Sequence, residues 1–321
     1  MTYSESDPGE NQTISGRLIL VGFSYLGEQQ IILFLMLLVI YLATVLGNLL
    51  VILLVKLNLS LHTPMYFFLV NLSFLEICFT SSIIPQLLVH LLLEEKTISF
   101  VGCAAQMYIS CIMGLTECCL LAAMSYDRYV AICRPLHYTT IMSGRVCAQL
   151  AGASWFIGIS VEVAQITWIL SLPLCGSHQI HHFFCDILPM VMMACTDTSK
   201  NNILGLFITV LFIMSPFFMI ILSYVYIIST ILKLQSLEGR RKAFSTCSSH
   251  LMVVSLFYGT ALFTYLWRNF SSTLGNDQIV SLMNIIVAPV LNPIIYTLRN
   301  KEVKGVLRKT LEKRKSRLRT I

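Results

Sequence analysis

Long runs of apolar residues, separated by short polar segments, make up most of the chain. Seven of these runs have about 20 residues or more, the length that a helix needs to cross the hydrocarbon core of a bilayer. The predicted spans, numbered 1 to 7 in chain order, are residues 29–55, 64–88, 103–133, 146–170, 203–232, 242–267 and 278–298. We expect Pro216 to break span 5. The pattern predicts an all-α membrane protein, a bundle of seven transmembrane helices that forms one domain over residues 29–298.

The composition supports a membrane protein and excludes other classes. Of the 321 residues, 56% are hydrophobic and only 12% are charged, whereas soluble domains have about 25% charged residues. The net charge is +6, yet no basic, aromatic-interleaved soluble face exists that could bind nucleic acid. The first 28 residues are polar and acidic, so we predict no cleavable signal peptide and treat residues 1–28 as an amino-terminal tail.

The distribution of positive charge predicts the orientation of the bundle. Nearly all of the 22 lysines and arginines lie in the loops and tail on one side of it. By the positive-inside rule that side is cytoplasmic, so the amino-terminal tail is extracellular. Asn11 begins an Asn-Gln-Thr sequon and is then on the side where glycosylation occurs. The exceptions to the charge distribution are Arg17, Lys96, Lys200 and Arg268.

The carboxyl-terminal segment, residues 299–321, is predicted to be a basic cytoplasmic tail. Val303, Val306 and Leu307 have the spacing of one apolar helix face. We therefore expect a short amphipathic helix that lies on the membrane surface and contacts lipid.

The eleven cysteines divide into two groups by the predicted topology. Seven lie within or next to the spans, where we expect small apolar side chains rather than metal ligands or nucleophiles. The four on the oxidising side are Cys103, Cys175, Cys185 and Cys195. Three of these four lie in the loop formed by residues 171–202, which is long for a compact connection and should be functional or anchored. The residues alone leave three possible pairings open.

Asp127 and Arg128 stand at the predicted cytoplasmic end of span 3, after a long apolar stretch with the single acid Glu117. At mid-bilayer each charge would cost about 2.5–3.5 kcal/mol on insertion scales, but at the membrane surface both can reach water or each other. An isolated pair of this kind is most simply an interfacial anchor. The strings around it favour a different role.

Several sequence strings occur in a characteristic order along the spans. They are Gly47-Asn48, LHTPMYFFL at 61–69, NLSFLEIC at 71–78, MSYDRYVAIC at 124–133 followed by RPLHY, HHFFCD at 181–186, SY at 223–224, KAFSTCSSHL at 242–251 and PVLNPIIYTLRN at 289–300. Together they resemble a rhodopsin-like G-protein-coupled receptor, and within that class an olfactory (odorant) receptor, over nearly the whole chain. The long second outer loop and FYG at 257–259 resemble the tetrapod-type (class II) group. Ser125 and Glu76 depart from the usual alanine and aspartate.

The resemblance implies a receptor, not an enzyme, in the plasma membrane of sensory cilia. It would bind small volatile odorants in the outer half of the bundle and activate a stimulatory, olfactory-type G protein to raise cAMP. The residues that the resemblance assigns to the switch and to G-protein coupling are Asp127, Arg128, Tyr129, Lys242, Asn292, Pro293 and Tyr296. The resemblance also implies the disulfides Cys103–Cys185 and Cys175–Cys195.

Two acids, Glu76 and Glu117, fall at matching depths in spans 2 and 3, with Asn48 and Asn292 available from spans 1 and 7. A buried carboxylate needs a proton, a partner or a cation. We expect a sodium ion shared by the two acids, which would favour the inactive packing; protonated and hydrogen-bonded carboxyl groups are the alternative. The spacing within residues 182–186 also allows a metal interpretation, but an oxidised cysteine there would lack the thiolate that a metal prefers.

The ligand site is predicted in the outer half of the bundle, where pockets between helices are mainly apolar with few polar groups. The candidate residues are Tyr108, Ser110, Cys111, Gly114, Leu115, Leu206, Phe207, Val210, Tyr258, Thr260, Ala261, Leu262 and Met283. Glu162 and Gln165 in span 4 could add polarity. Span 7 contains no lysine, which excludes a retinal Schiff base, and the outer half of span 3 contains no aspartate to pair with an amine. The expected ligand is therefore small, volatile and weakly polar.

Three other functions are less compatible with the sequence. The nearest is a rhodopsin-like receptor for a non-volatile lipid or metabolite in a non-olfactory tissue. A transporter is expected to show an inverted repeat of hydropathy between its halves, and this chain shows none. An intramembrane enzyme is disfavoured because the buried acids are scattered, and neither a His/Glu metal pair nor Gly-x-Ser-x-Gly occurs.

Overall fold

The computed structural model of the protein describes residues 17–93, 96–175, 179–270 and 274–298. In chain order, the helices of these ranges are α1 (Gln29–Leu57), α2 (Pro64–Leu92), α3 (Phe100–Cys133), α4 (Tyr138–Ile141), α5 (Gly144–Leu170), α6 (Ile187–Met192), α7 (Ser199–Ile208), α8 (Ser215–Lys233), α9 (Leu237–Phe270) and α10 (Leu274–Leu298). The strands are β1 (Arg17–Leu20), β2 (Thr97–Ser99) and β3 (Gln179–Ile180).

All seven predicted spans are helical. Spans 1 to 4 correspond to α1, α2, α3 and α5, span 5 to α7 and α8 together, and spans 6 and 7 to α9 and α10. Six stretches of the described residues are long and apolar enough to cross a membrane, and α9 is a further long helix. The predicted seven-transmembrane bundle is confirmed. Asn11 and the amphipathic helix expected in the tail lie outside the described residues.

Three helices begin at residues whose side chains favour a helix start. The Ser99 side chain accepts a hydrogen bond from the Gly102 N–H at 3.1 Å and so caps α3. The Asp186 side chain accepts one from the Ile187 N–H at 2.8 Å at the start of α6. Pro64 is the first residue of α2, a position at which its missing N–H costs no hydrogen bond.

Span 5 is continuous through Pro216, which the sequence predicted would break it. A π-helical turn, Thr209–Met214, connects α7 to α8 just before the proline. Because the proline nitrogen cannot donate to the preceding turn, the wider turn accommodates the missing bond. The Ser215 hydroxyl donates to the Leu211 carbonyl oxygen and satisfies one acceptor of the altered turn.

A three-stranded sheet lies at the outer ends of the helices. Strand β1 is central, antiparallel to β2 and parallel to β3, with Leu20 opposite Ile180. The sequence did not predict this sheet, because strands of two to four residues are too short to show an alternating pattern. The sheet joins the amino-terminal segment to the loops that precede α3 and α7.

Two disulfides anchor the long loop between α5 and α7. Cys103–Cys185 connects the loop to the outer end of α3, and Cys175–Cys195 closes a smaller ring within the loop. Both pairings implied by the resemblance are confirmed. The other seven cysteines are free. The loop is therefore held at two points, as its length led us to expect.

Small residues bring the helices into their closest contacts. A Cβ atom added to Gly158 of α5 would collide with Thr116 Oγ1 and lie 3.1 Å from the Ile112 carbonyl oxygen of α3. A Cβ atom at Gly47 of α1 would lie 3.2 Å from Pro293 Cγ of α10. Close approach of this kind is typical of helix pairs in membranes. It sets α5 directly against α3, the helix that carries both ligand and switch candidates.

Candidate functional site

The cytoplasmic end of α3 carries a buried ion pair. Arg128 Nη2 contacts Asp127 Oδ2, and Arg128 Nε donates to the same oxygen at 2.9 Å. The Asp127 side chain is fully buried, and its Oδ1 accepts a hydrogen bond from Tyr138 OH at 2.8 Å. Burial, together with the nearby Asp127 carboxylate, raises the pKa of Tyr138, so the phenol remains a donor. Arg128 is thus held in place by its neighbour in the chain.

A second polar cluster connects α8 and α9 to α3 near the same end. Tyr224 OH lies 2.8 Å from His250 Nδ1, and His250 Nε2 lies 3.2 Å from the Leu121 carbonyl oxygen. Because a carbonyl can only accept, Nε2 carries the proton and Nδ1 accepts from the tyrosine. Sequence reasoning placed both residues in motifs but assigned neither a role. The signal for them was a histidine within a predicted membrane span.

The remaining switch candidates are distributed over three helices. Asn292 of α10 donates a hydrogen bond to Glu76 of α2, and Pro293 follows it against α1. Tyr129 packs edge-on against a tyrosine of α8, with ring centroids 6.1 Å apart. The candidates whose side chains lie outside the described part of the structure are Lys242 and Tyr296.

Buried oxygen atoms are concentrated where α1, α2, α3 and α10 meet. The carboxyl groups of Glu76 and Glu117 are buried and interact electrostatically. Asn48 Nδ2 donates to the Pro289 carbonyl oxygen at 3.3 Å. Within the described ranges, no donor bonds to Glu117 Oε1, Asn48 Oδ1 or Asn292 Oδ1. Carboxylate and amide oxygens are the ligands that hard cations prefer, so these residues fit the sodium ion that the sequence led us to expect.

The segment at 182–186 is an aromatic cluster. Cys185 is disulfide-bonded, and the His182 ring lies 4.6 Å from the Phe183 ring and 4.7 Å from that of Phe184. Phe183 in turn stacks on Phe23 of the amino-terminal segment at 5.2 Å. No group of three or more His, Cys, Asp or Glu side chains among the described residues is arranged to hold a metal ion. This segment therefore packs aromatic rings against one another at the outer end of the bundle.

The ligand candidates of α3 lie in its outer half, next to α5. Tyr108 OH forms a hydrogen bond with Thr167 Oγ1 of α5 at 2.8 Å. The Ser110 hydroxyl donates to the Gln106 carbonyl within its own helix. A Cβ atom at Gly114 would meet nothing within 4 Å, so open space lies beside it. The two other members of this set are the half-buried Cys111 and the buried Leu115.

The ligand candidates of span 5 lie away from its packed face. Leu206, Phe207 and Val210 are 65%, 59% and 55% exposed. The buried residues of α7 are Asn201 and Ile208, two helical turns apart. The three candidates lie outside the stripe that these two positions define. The structure therefore does not bring them together with the candidates of α3.

The candidates of spans 6 and 7 differ in their surroundings. Tyr258 is buried, and its ring lies 4.6 Å from that of Phe217 in α8. Thr260 and Ala261 are half-buried, with the threonine hydroxyl donating to a carbonyl of its own helix. Met283 of α10 is half exposed. The side chain of Leu262 lies outside the described residues.

Comparisons with known proteins point to one family. The profile described as olfactory receptor matches residues 37–314. Olfactory receptor 10A4 of Homo sapiens is 52% identical over 305 residues, which cover 95% of this chain and 97% of that protein. Olfactory receptor 10C1 of Homo sapiens is 50% identical over 94% of this chain and 97% of its own length. The olfactory receptor-like protein OLF3 of Canis lupus familiaris is 48% identical over 94% and 95%.

The fold has a counterpart among solved structures. The crystal structure of squid rhodopsin superposes with a TM-score of 0.67, covering 86% of this chain and 79% of that chain. The two sequences are 19% identical, so this similarity concerns the fold alone. It agrees with the seven helices described above.

Proposed function

Since this chain belongs to the olfactory receptor family, and is an odorant-binding G-protein-coupled receptor rather than an enzyme, we propose that its odorant is a small volatile molecule bound in the outer half of the bundle. The receptor then activates a stimulatory, olfactory-type G protein and raises cAMP. It is a multi-pass plasma membrane protein, with sensory cilia as the proposed location and membrane lipid around its exposed apolar faces. Family membership does not favour the alternative, a receptor for a non-volatile lipid or metabolite.

The observation that carries this proposal is that α3 passes through both sites. At its outer end the helix is bonded to the long loop through Cys103–Cys185, and Tyr108 follows one to two turns later. At its cytoplasmic end, the same helix holds Asp127 and Arg128. A ligand that packs against the outer half therefore acts on the helix that carries the switch.

Activation on this proposal is a shift between two packings of similar free energy, which a ligand biases by binding one of them better. In the packing described above, Asp127 holds Arg128, the Tyr224–His250 bond joins α8 to α9, and the bond from His250 to the Leu121 carbonyl oxygen joins α9 to α3. An odorant that favours the other packing releases Arg128 toward the G protein. Pro293 cannot donate to the Pro289 carbonyl oxygen, which accepts from Asn48 of α1 instead, so α10 can bend there in the same step.

A sodium ion belongs to the proposal as an inhibitory element. Glu76, Glu117, Asn48 and Asn292 would hold it, since their oxygens lie together on four helices and one oxygen of each lacks a donor within the described ranges. The ion supplies positive charge to two buried carboxylates. By joining α1, α2, α3 and α10 it would stabilise the packing in which the Asp127–Arg128 pair is closed.

The test of the ligand site is a cAMP reporter screen of the surface-expressed receptor against a diverse panel of volatile compounds. We expect at least one volatile compound to raise cAMP, and Tyr258→Leu to abolish that response because it removes a buried ring of the bundle. The matched control is Phe156→Leu, which alters a 72% exposed ring of α5 and should leave the response unchanged. If no volatile compound raises cAMP although surface expression is verified, the volatile-ligand proposal is contradicted and a non-volatile ligand is favoured.

Coupling is tested separately. The response should vanish in cells that lack the stimulatory G-protein α subunit, and Arg128→Ala should abolish it at normal surface level. An Arg128→Ala receptor that reaches the surface and gives an unchanged odorant-evoked cAMP signal contradicts the proposed coupling role.

A further inference from the structure

The face of α5 that packs on α3 carries two buried polar residues in its outer half. Buried positions recur along this face every three or four residues. They are Cys147, Ala151, Ser154, Gly158, Glu162, Gln165 and Ile169. The contact of Gly158 with Thr116 shows that this stripe faces α3. Glu162 lies one turn further out than Gly158, and Gln165 follows; each is only 7% exposed.

Glu162 lacks a group that would balance a negative charge in the described part of the chain. Its Oε2 atom is buried and accepts no hydrogen bond from any described residue. The ion pair found within these ranges joins Asp127 and Arg128, at the opposite end of the bundle. A buried carboxylate needs a proton, hydrogen-bond donors or a cation, because its transfer from water is costly. The Glu162 carboxylate can therefore accept hydrogen bonds and positive charge from a bound ligand.

Groups from α3 and from the long loop lie near this carboxyl group, and α7 borders the neighbouring Gln165. Cys111 of α3 and Asp186 of the long loop both interact with it electrostatically. Gln165 Nε2 would lie 3.7 Å from a Cβ atom at Gly205, so a glycine of α7 borders the same region. Further out, the Tyr108–Thr167 hydrogen bond connects α3 to α5. We call this region, defined by Cys111, Glu162, Gln165 and Asp186, the acidic patch.

We propose that the acidic patch recognises a protonated alkylamine, with the Glu162 carboxylate accepting hydrogen bonds from the ammonium group. The inference rests on the proposed function, since it names the ligand class of the same outer site. An alkylammonium ion brings both the positive charge and the donors that Glu162 lacks, and Asp186 adds a second carboxylate near by. The alkyl chain can pack on apolar residues of α3 such as Leu115. The outer half of span 3 offers no aspartate to pair with an amine, but this acid comes from span 4.

A comparison of charged with neutral ligands tests whether the site recognises the positive charge or merely a polar group. An alcohol with the same carbon skeleton supplies one hydrogen-bond donor but no charge. Both ligands can donate a hydrogen bond to the carboxylate, but only the ammonium ion adds a Coulomb attraction between opposite charges, and this attraction is largest in a site shielded from water. Matched amines and alcohols should therefore differ in potency at this receptor.

The experiment compares butylamine, hexylamine and octylamine with the corresponding alcohols on the full-length, surface-expressed receptor, with a cAMP reporter. We expect the best amine to act at a lower concentration than its alcohol. Glu162→Gln keeps the shape of the side chain and removes its charge, and should raise the half-maximal concentration of that amine about 30-fold or more while leaving the alcohol unchanged. The control Glu28→Gln removes an exposed acid at the outer start of α1 and should alter neither response.

A second measurement does not depend on signalling. Cys111 borders the acidic patch, so a bound amine should slow its alkylation by a membrane-permeant maleimide, followed at this residue by mass spectrometry of the purified receptor. Hexylamine should protect Cys111 in the wild-type receptor but not in a Glu162→Gln receptor with the same unfolding temperature. Hexan-1-ol should protect it less in the wild type.

The outcomes distinguish the inference from the function on which it rests. Amines that are no more potent than their alcohols, or that lose no potency in Glu162→Gln, overturn the amine assignment; a response to neutral volatile compounds then leaves odorant reception intact. If no compound of either class signals at verified surface level, the diverse volatile panel described above tests the proposed function separately. In that case the alkylation result decides alone, and absence of protection by hexylamine overturns the amine site.

Discussion

At the scale of single residues, a few buried polar bonds hold the packing described here. Arg128 is bonded to Asp127, and Asp127 is bonded to Tyr138. A hydrogen bond to a charged group contributes about 1.5–3 kcal/mol, which is enough to shift a two-state equilibrium about tenfold or more. Each bond is therefore able to set how often the cytoplasmic end opens without ligand.

Tyr138→Phe removes the hydroxyl group that donates to Asp127 and keeps the aromatic ring. We expect higher cAMP in the absence of odorant, because the carboxylate that holds Arg128 loses one of its partners. The measurement is basal cAMP at matched surface level. Tyr126→Phe is the control, since that ring is 40% exposed on the same helix end and should leave basal cAMP unchanged. Equal basal signals in Tyr138→Phe and the wild type would contradict the restraint on Arg128.

The sodium proposal makes a residue-scale prediction that does not require an agonist. Replacing choline chloride with sodium chloride should raise the unfolding temperature of the purified receptor, because an ion that binds only the folded state stabilises it. Glu117→Gln should abolish that increase by removing one ligand charge. Glu162→Gln, another buried acid on a different helix pair, should retain it. A wild-type unfolding temperature that does not respond to sodium would exclude the site.

At the scale of elements, α3 and α5 form the closest described helix contact through small residues. Gly158 leaves no room for a side chain, whereas a Cβ atom at Gly152 of the same helix would meet nothing within 4 Å. Membrane helices associate largely through such packing, because lipid offers no hydrophobic driving force between them. The alignment of Glu162 with α3 depends on this contact.

Gly158→Ala should lower the stability of the receptor, and Gly152→Ala should not. Overpacking of a tight contact costs about 1–3 kcal/mol, whereas an alanine in an open helical position gains up to about 1 kcal/mol. The comparison is made by thermal unfolding of the two purified variants. Equal unfolding temperatures would show that α5 can move away from α3 without cost.

At the scale of the whole molecule, the outer end is closed by elements from three parts of the sequence. The sheet joins the amino-terminal segment to two outer loops, and the Phe23–Phe183 stack reinforces it. Cys103–Cys185 spans 82 residues of chain, whereas Cys175–Cys195 spans 20. The longer ring restricts the unfolded chain more than the shorter one.

Removing each disulfide as a pair of serine substitutions should therefore have unequal effects. On loop-closure grounds, loss of Cys103–Cys185 should cost about 1 kcal/mol more than loss of Cys175–Cys195. It should also weaken the odorant response more, because it frees the loop from the helix that carries the switch. Unfolding temperature and half-maximal odorant concentration of the two double variants provide the measurements. A larger effect from the smaller ring would contradict this ranking.

Much of the fold was predictable because a membrane-spanning helix is specified locally. Hydrocarbon forces each segment to satisfy its own backbone hydrogen bonds, so the length of an apolar run was enough to identify all seven spans. The role expected for Asp127 and Arg128 and the pairing of the four outer cysteines came instead from a resemblance that covered most of the chain. Pro216 was misjudged, since a π-helical turn accommodates it without breaking the span.

The rotation of each helix about its axis was beyond the reach of the sequence alone. Leu206, Phe207 and Val210 are plausible pocket residues by composition, yet they lie on the exposed side of span 5. Glu162, in contrast, is buried near Cys111 and Asp186. The sheet likewise unites three short segments that are far apart in the chain. Sequence by itself determined the seven spans, because hydrophobic length acts locally; the orientation of the bundle and the residues of the switch stay predictions. Tertiary structure decided which side chains meet, because packing between distant segments sets the face that each helix turns inward.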